Sequence, residues 1–214
     1  MKGRLLGLLA LALSTGCPLW TGRGEGPLVA FLGDSLTSGY TLPPAQAYPA
    51  RVQGALKERG RPIRVLNAGV SGDTVAQGGE RLAGVLRQRP DVLVVALGIN
   101  DGLRGLPLAA VETNLRDIVD RARRGGVLVL LAGMRIPSDR DPEYARRFGE
   151  IYERLAADYR LPLVPFLLEG VAGRPEMTFP DGLHPSAAGQ ERVAENLRPH
   201  LELLLAEVRA GKRP

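Results

Sequence analysis

From Leu28 onward, short apolar runs alternate with longer stretches in which apolar residues recur every three or four positions. Leu28–Leu32, Ile63–Leu66, Val92–Leu97, Val127–Ala132 and Leu161–Pro165 read as strands. The runs at 92–97 and 127–132 are almost unbroken, as in strands buried on both faces. Helices are predicted over Pro49–Arg59, with Val52, Ala55 and Leu56 inward, and over Thr74–Gln88, with Leu82, Val85 and Leu86 on one face. Two more follow over Pro107–Arg124 (Val111, Leu115, Ile118, Val119) and Pro142–Tyr159 (Phe148, Ile151, Leu155). A last one runs from Ser186 to about Ala210. Pro107 suits a first helical turn and Ser186 an N-cap. The alternation implies α/β architecture, a parallel sheet between helix layers. The chain has 214 residues, the size of one domain, placed at 28–210, and no internal repeat.

Open parallel sheets carry their sites beyond the carboxyl ends of the strands. Asp34-Ser35 follows the first predicted strand, Ser71-Gly72-Asp73 the second and Asn100-Asp101 the third. Late in the chain, Asp181-Gly182-Leu183-His184-Pro185 places an acid three residues before one of only two histidines. Serine, histidine and aspartate are the groups that make a hydroxyl nucleophilic near neutral pH. His184, bracketed by Gly182 and Pro185, falls on a turn, and an imidazole's ordinary pKa of about 6.5 suits a general base. Asp181 can reach its Nδ1–H across that turn, and as an Asx-turn residue it can also close the bend. Ser35 read from position alone is as well suited to capping a helix as to catalysis, and the downstream Asp-x-x-His favours catalysis. Gly72 and Asn100 are candidate oxyanion donors, although each could simply be a turn residue. Removing one such donor costs about 3–4 kcal/mol in other serine hydrolases. His200, in the closing helix after Pro199, reads as structural.

Charge and composition narrow the classes. The net charge is +5, and the cations are mostly arginines scattered among acids along helix-like stretches. A solvated Arg-rich surface is the plain reading, and a mild attraction to anionic lipid is the alternative. With 5% aromatics and no nucleic-acid motif, no nucleic-acid partner is expected. A single cysteine excludes an internal disulfide, and one cysteine with two histidines cannot make a structural zinc site. No metal or organic cofactor is expected. No phosphate loop follows the first strand, which argues against a nucleotide-binding module. The nucleophile-elbow pattern G-x-S-x-G is absent.

Residues 1–17 read as an export signal. Lys2 and Arg4 are basic, and Leu5–Leu13 is apolar but too short to span a bilayer. Ser14-Thr15-Gly16-Cys17 resembles the lipobox of bacterial lipoproteins, with Ser14 where leucine is usual, so Cys17 is a candidate lipid anchor. Ordinary cleavage nearby, giving a periplasmic or secreted protein, is the alternative. Residues 18–27, rich in glycine, form a tether.

Four motifs in order resemble the blocks of the GDSL, or SGNH, hydrolases: Gly33-Asp34-Ser35-Leu36, Gly72 within NAGVSGDT, Gly98-Ile99-Asn100-Asp101, and Asp181 to Pro185. The segments NAGVSGDT, LGINDGLRG, MRIP and LPLVPFLLEGV resemble most the bacterial periplasmic multifunctional thioesterase, arylesterase and lysophospholipase branch. The resemblance implies a flavodoxin-like three-layer α/β/α sandwich with a five-stranded parallel sheet. It implies Ser35 as nucleophile, His184 as base and Asp181 as its orienting acid. The oxyanion donors would be the Ser35 and Gly72 N–H groups and the Asn100 side chain. The activity implied is that of a monomeric serine esterase acting on short- to medium-chain acyl esters, thioesters or lysophospholipids. Carbohydrate O-acetyl ester hydrolysis, or a silent lipid-binding lipoprotein, is the alternative. Ile99 stands where the closer relatives carry glycine and is expected to narrow the pocket or stiffen its loop. Gly102 and Gly105 are expected to let the 101–105 loop move on substrate binding.

Overall fold

The computed structural model describes residues 26–137, 139 and 141–213. The expected export signal and most of the tether lie outside the described residues. Five strands, β1 (Leu28–Gly33), β2 (Arg64–Gly69), β3 (Val92–Ala96), β4 (Leu128–Ala132) and β5 (Leu163–Val164), pair in parallel in the order β2-β1-β3-β4-β5. β1, β3 and β4 are buried along their whole length, which explains their unbroken apolar runs.

Five longer helices connect and cover the strands: α2 (Tyr48–Glu58), α3 (Val75–Leu86), α5 (Leu108–Arg124), α6 (Pro142–Tyr159) and α7 (Ala187–Arg209). α2 packs against α7, α3 against α5, and α5 against α6, so both faces of the sheet are covered. This is the expected α/β/α sandwich. The inward residues read from periodicity, including Val52, Leu82, Val111, Leu115, Phe148 and Ile151, are buried in one continuous core. Among the described residues, no helix is long and apolar enough to cross a membrane.

The departures have local causes. α1 (Ser35–Ser38), α4 (Ile99–Leu103) and a 3₁₀ turn at Pro44–Gln46 carry no periodic signal, because each is too short to show one. β2 runs on to Gly69. It is an edge strand, only partly buried, so polar Asn67 can extend it. β5 is two residues long because Pro162 and Pro165, which have no N–H to give a ladder, flank it. Pro107 lies just outside α5 as its N-cap, with extended ψ of 121°, rather than in the first turn.

Strand order reverses at β1, whose neighbours are reached by connections running in opposite directions. The crevice between the carboxyl ends of β1 and β3 is therefore the natural site. α1 and α4 both start there.

Candidate active site

Ser35 is the first residue of α1, and the N-cap is Asp34, whose Oδ1 accepts the Leu36 N–H at 2.9 Å. The capping role is thus filled by the aspartate, which leaves the serine hydroxyl for other partners. Gly33 permits the tight turn. A Cβ there would lie 1.9 Å from Thr37 Oγ1. Ser35 Oγ is 2.8 Å from His184 Nε2, and His184 Nδ1 is 2.7 Å from Asp181 Oδ2. With its other oxygen, Asp181 accepts the N–H groups of Leu183 and His184 at 2.9 and 3.0 Å. It closes the turn and holds the imidazole at once. Desolvation is the largest single influence on the Asp181 carboxyl and pushes it up, but the two N–H groups and the imidazole together outweigh it and hold its pKa down to about 2.

The His184 loop is fastened behind. Phe179 N–H donates to His184 O at 2.7 Å, and Ser186, the N-cap of α7, donates its N–H to Met177 O at 2.8 Å. Tyr40 stacks on the imidazole, with ring centroids 3.8 Å apart and planes 7° from parallel.

Gly72 sits at φ +87°, a conformation that favours glycine, and an added Cβ would meet only Arg104 Nη2, at 4.0 Å. The space above it is open. Asn100, at the start of α4, donates one Nδ2–H to Asp73 O at 2.9 Å. This fixes the amide and leaves its second N–H for a ligand. Among the described residues, the Ser35 and Gly72 N–H groups donate to no backbone or side-chain acceptor. Ser38 Oγ lies 3.3 Å from Ser71 Oγ and joins the Ser35 turn to the Gly72 loop.

Three further residues build the site and carried no sequence signal. Arg81, on α3, spreads its guanidinium over Gly33 O (2.7 Å), Ala68 O (2.6 Å) and Asp73 Oδ2 (2.6 Å). It thereby fastens the ends of β1 and β2 to the Gly72–Asp73 loop. Gln190, on α7 and wholly buried, accepts the Tyr48 N–H (2.8 Å) and donates to Leu36 O (3.1 Å). It ties the helix after His184 to the turn that carries Ser35. Tyr40 is the third.

Buried Asp34 is pushed up to about 7 by desolvation, against the Leu36 N–H that lowers it, with Asp101 and Asp73 adding repulsion. Its Oδ2 has no partner among the described residues. Burial also raises Asp101, whose Oδ2 accepts the Val75 N–H at 3.0 Å and so caps α3 from α4. Ile99 is buried in the core, so its bulk packs inward rather than narrowing open space. The expected freedom of the 101–105 loop needs correction at Gly102. That residue lies inside α4 and is buried, and a Cβ there would meet Ile136 at 2.7 Å and Phe148 at 3.0 Å. It is a packing glycine, whereas Gly105 sits at φ +64° with open space around it. Beside this segment runs a cleft of about 530 Å³, lined among others by Leu103, Gly105, Ile136, Pro137 and Tyr144.

A hydroxyl, an imidazole and a carboxylate in hydrogen-bonded series at the switch point of a parallel sheet are the equipment of an acyl-transfer hydrolase. The GDSL-like lipase/acylhydrolase family matches residues 31–192, and the chain belongs to that family. It is 39% identical to the esterase TesA of Pseudomonas aeruginosa, over 96% of this chain and all of that protein. It is 35% identical to thioesterase 1/protease 1/lysophospholipase L1 of Escherichia coli strain K12, over 81% of this chain and 83% of that one. The crystal structure of TesA superposes with a TM-score of 0.80 at 40% identity, covering 83% of this chain and 99% of its own. The protein is a carboxylic-ester hydrolase.

Proposed function

We propose that Ser35, His184 and Asp181 are the catalytic residues and that the protein cleaves acyl esters and thioesters, lysophospholipids included, through an acyl-enzyme. The observation that carries this reading is the hydrogen-bonded series Ser35 Oγ–His184–Asp181, at 2.8 and 2.7 Å. His184 Nε2 takes the Ser35 proton as Oγ attacks the carbonyl carbon, and the imidazolium faces the Asp181 carboxylate, which pins the Nδ1–H tautomer. The developing oxyanion accepts from the Ser35 and Gly72 N–H groups and from the second Asn100 amide hydrogen. His184 then gives its proton to the leaving alcohol or thiol. Water deprotonated by His184 attacks the acyl-enzyme and releases the acid.

The acyl chain lies along the cleft beside Leu103, Ile136 and Tyr144. The support is its apolar wall, which starts two residues beyond Asn100. A cleft of about 530 Å³ favours short- to medium-chain acyl groups over acetyl alone. Export, with the chain held at the cell envelope or released from it, rests on the basic and apolar segment before Cys17. The test is hydrolysis of p-nitrophenyl esters from acetyl to palmitoyl by the protein and by Ser35→Ala. The reading expects a maximum between butyryl and decanoyl and a loss of three orders of magnitude or more in the variant. An unaffected variant would refute Ser35 as nucleophile, and an acetyl-only profile would refute the acyl groove.

A further inference from the structure

Six of the exposed cations that look scattered along the chain are brought together by the fold. Every crossover helix runs from the carboxyl ends of the strands to their amino ends, so helix C-termini and the loops after them meet at the end of the sheet remote from Ser35. Exposed there are Arg87 and Arg89 after α3, Arg124 closing α5, Arg160 after α6, and Arg209 and Lys212 at the end of α7. Among the described residues, none of these six stands in a salt bridge. The carboxylates at this end are fewer: Glu58 is exposed, and Asp158 is taken up by Arg116. Asp91 is buried, accepting the Leu28 N–H and pairing with Arg213, and Glu207 is half-buried. The catalytic end carries exposed charges of both signs, Asp141 and Asp181 with Arg104, Arg135, Arg147 and Arg174, while Asp34 and Asp101 are buried and Asp73 pairs with Arg81.

The chain enters the fold at this same basic end. Gly26 packs against Pro62 and accepts from Arg64, and Leu28 opens β1 beside Asp91. The apolar segment 5–13 and Cys17 therefore attach here. The residues between Cys17 and Leu28 span about 35 Å at full stretch. We propose that this end is a docking face for a bilayer rich in anionic headgroups, met as soon as the N-terminal segment engages the membrane. Cations near helix C-termini also complement the helix dipoles. That role, however, is satisfied within the protein and gives no preference among lipids. Docked this way, the catalytic end stands off the bilayer by more than the roughly 20 Å length of a six-residue strand. Substrate then arrives from the aqueous side.

The test is co-sedimentation of the full chain with vesicles of phosphatidylcholine alone or mixed with phosphatidylglycerol, at low and high NaCl. Arg87→Gln/Arg124→Gln is compared with Arg147→Gln/Arg174→Gln, which removes the same charge near the catalytic end. Tighter binding to the anionic vesicles, lost in high salt and weakened roughly 30-fold by the first pair but not by the second, is expected. Hydrolysis of a soluble ester, unchanged in each variant, reports the fold, and Arg89→Gln/Lys212→Gln replaces the first pair if it does not fold. Equal binding to both lipids, or equal loss in both pairs, would overturn the proposal. The first would leave only insertion of the apolar segment, and the second only net charge.

Discussion

Replacing Gln190 with leucine tests how the two halves of the site are held together. The swap keeps the volume roughly constant and removes two buried hydrogen bonds, to the Tyr48 N–H and the Leu36 C=O. Tyr48 opens α2, and the residue before it, Ala47, offers no side-chain cap. Gln190 is therefore the cap of α2, supplied from α7. Each stranded buried group costs about 1–3 kcal/mol, so the loss is about 2–6 kcal/mol of a total of roughly 5–15. A urea titration at unchanged m-value measures it. Leu36 follows Ser35 directly, and displacement of that turn by a fraction of an ångström should lower kcat on p-nitrophenyl butyrate by on the order of tenfold or more, with less change in KM. Gln190→Glu keeps the acceptor for Tyr48 but buries a carboxyl. Its stability should fall further as pH rises above about 4, because the unfolded chain then ionises the group and the folded one resists. A leucine variant that loses less than about 1 kcal/mol and keeps its kcat would refute this reasoning.

Three more outcomes are expected. Asp34 has a folded pKa near 7, above that of the unfolded chain, so its contribution is fully present below about pH 4 and is lost as pH rises to 7. Asp34→Asn should flatten the stability profile over that window, by at most about 4 kcal/mol, in urea titrations across pH. Asn100→Ala should lower kcat by about 10²–10³ with KM nearly unchanged, and a loss confined to KM would contradict an oxyanion role. Asp181, depressed to about 2, contributes stability that is present above about pH 4 and lost as pH falls through 2. Asp181→Asn should therefore be less sensitive to acid than the parent over that range in circular-dichroism titrations, while losing on the order of 10³-fold or more in kcat.

The parts of the site legible in the sequence are those that short range defines. Asp181 and His184 are joined across one tight turn, so their spacing alone allows the 2.7 Å contact. Ser35 and Asn100 follow strands whose apolar runs are unmistakable, and position after a strand is enough to bring them to the same end of the sheet. Arg81, Gln190 and Tyr40 could not be read this way. Each looks like an ordinary helix or turn residue, and each acts on groups distant in sequence: Gly33 O for Arg81, Leu36 O for Gln190 and the His184 ring for Tyr40. The short helices α1 and α4 are of the same kind, because four or five residues form too few intrahelical bonds to be stable alone and are held by what surrounds them.

By itself the sequence determined the order of strands and helices, the faces they bury and the residues carried at the strand ends, because apolar periodicity and turn chemistry are local properties of the chain. Tertiary structure alone decided which of those ends meet: the 2.8 Å contact of Ser35 with His184 spans most of the folded chain. It also decided where the charge lies. Six exposed cations spread along the sequence meet at one end of the molecule because each helix after a strand returns the chain to the same end of the sheet, a consequence of parallel connection that no local pattern encodes.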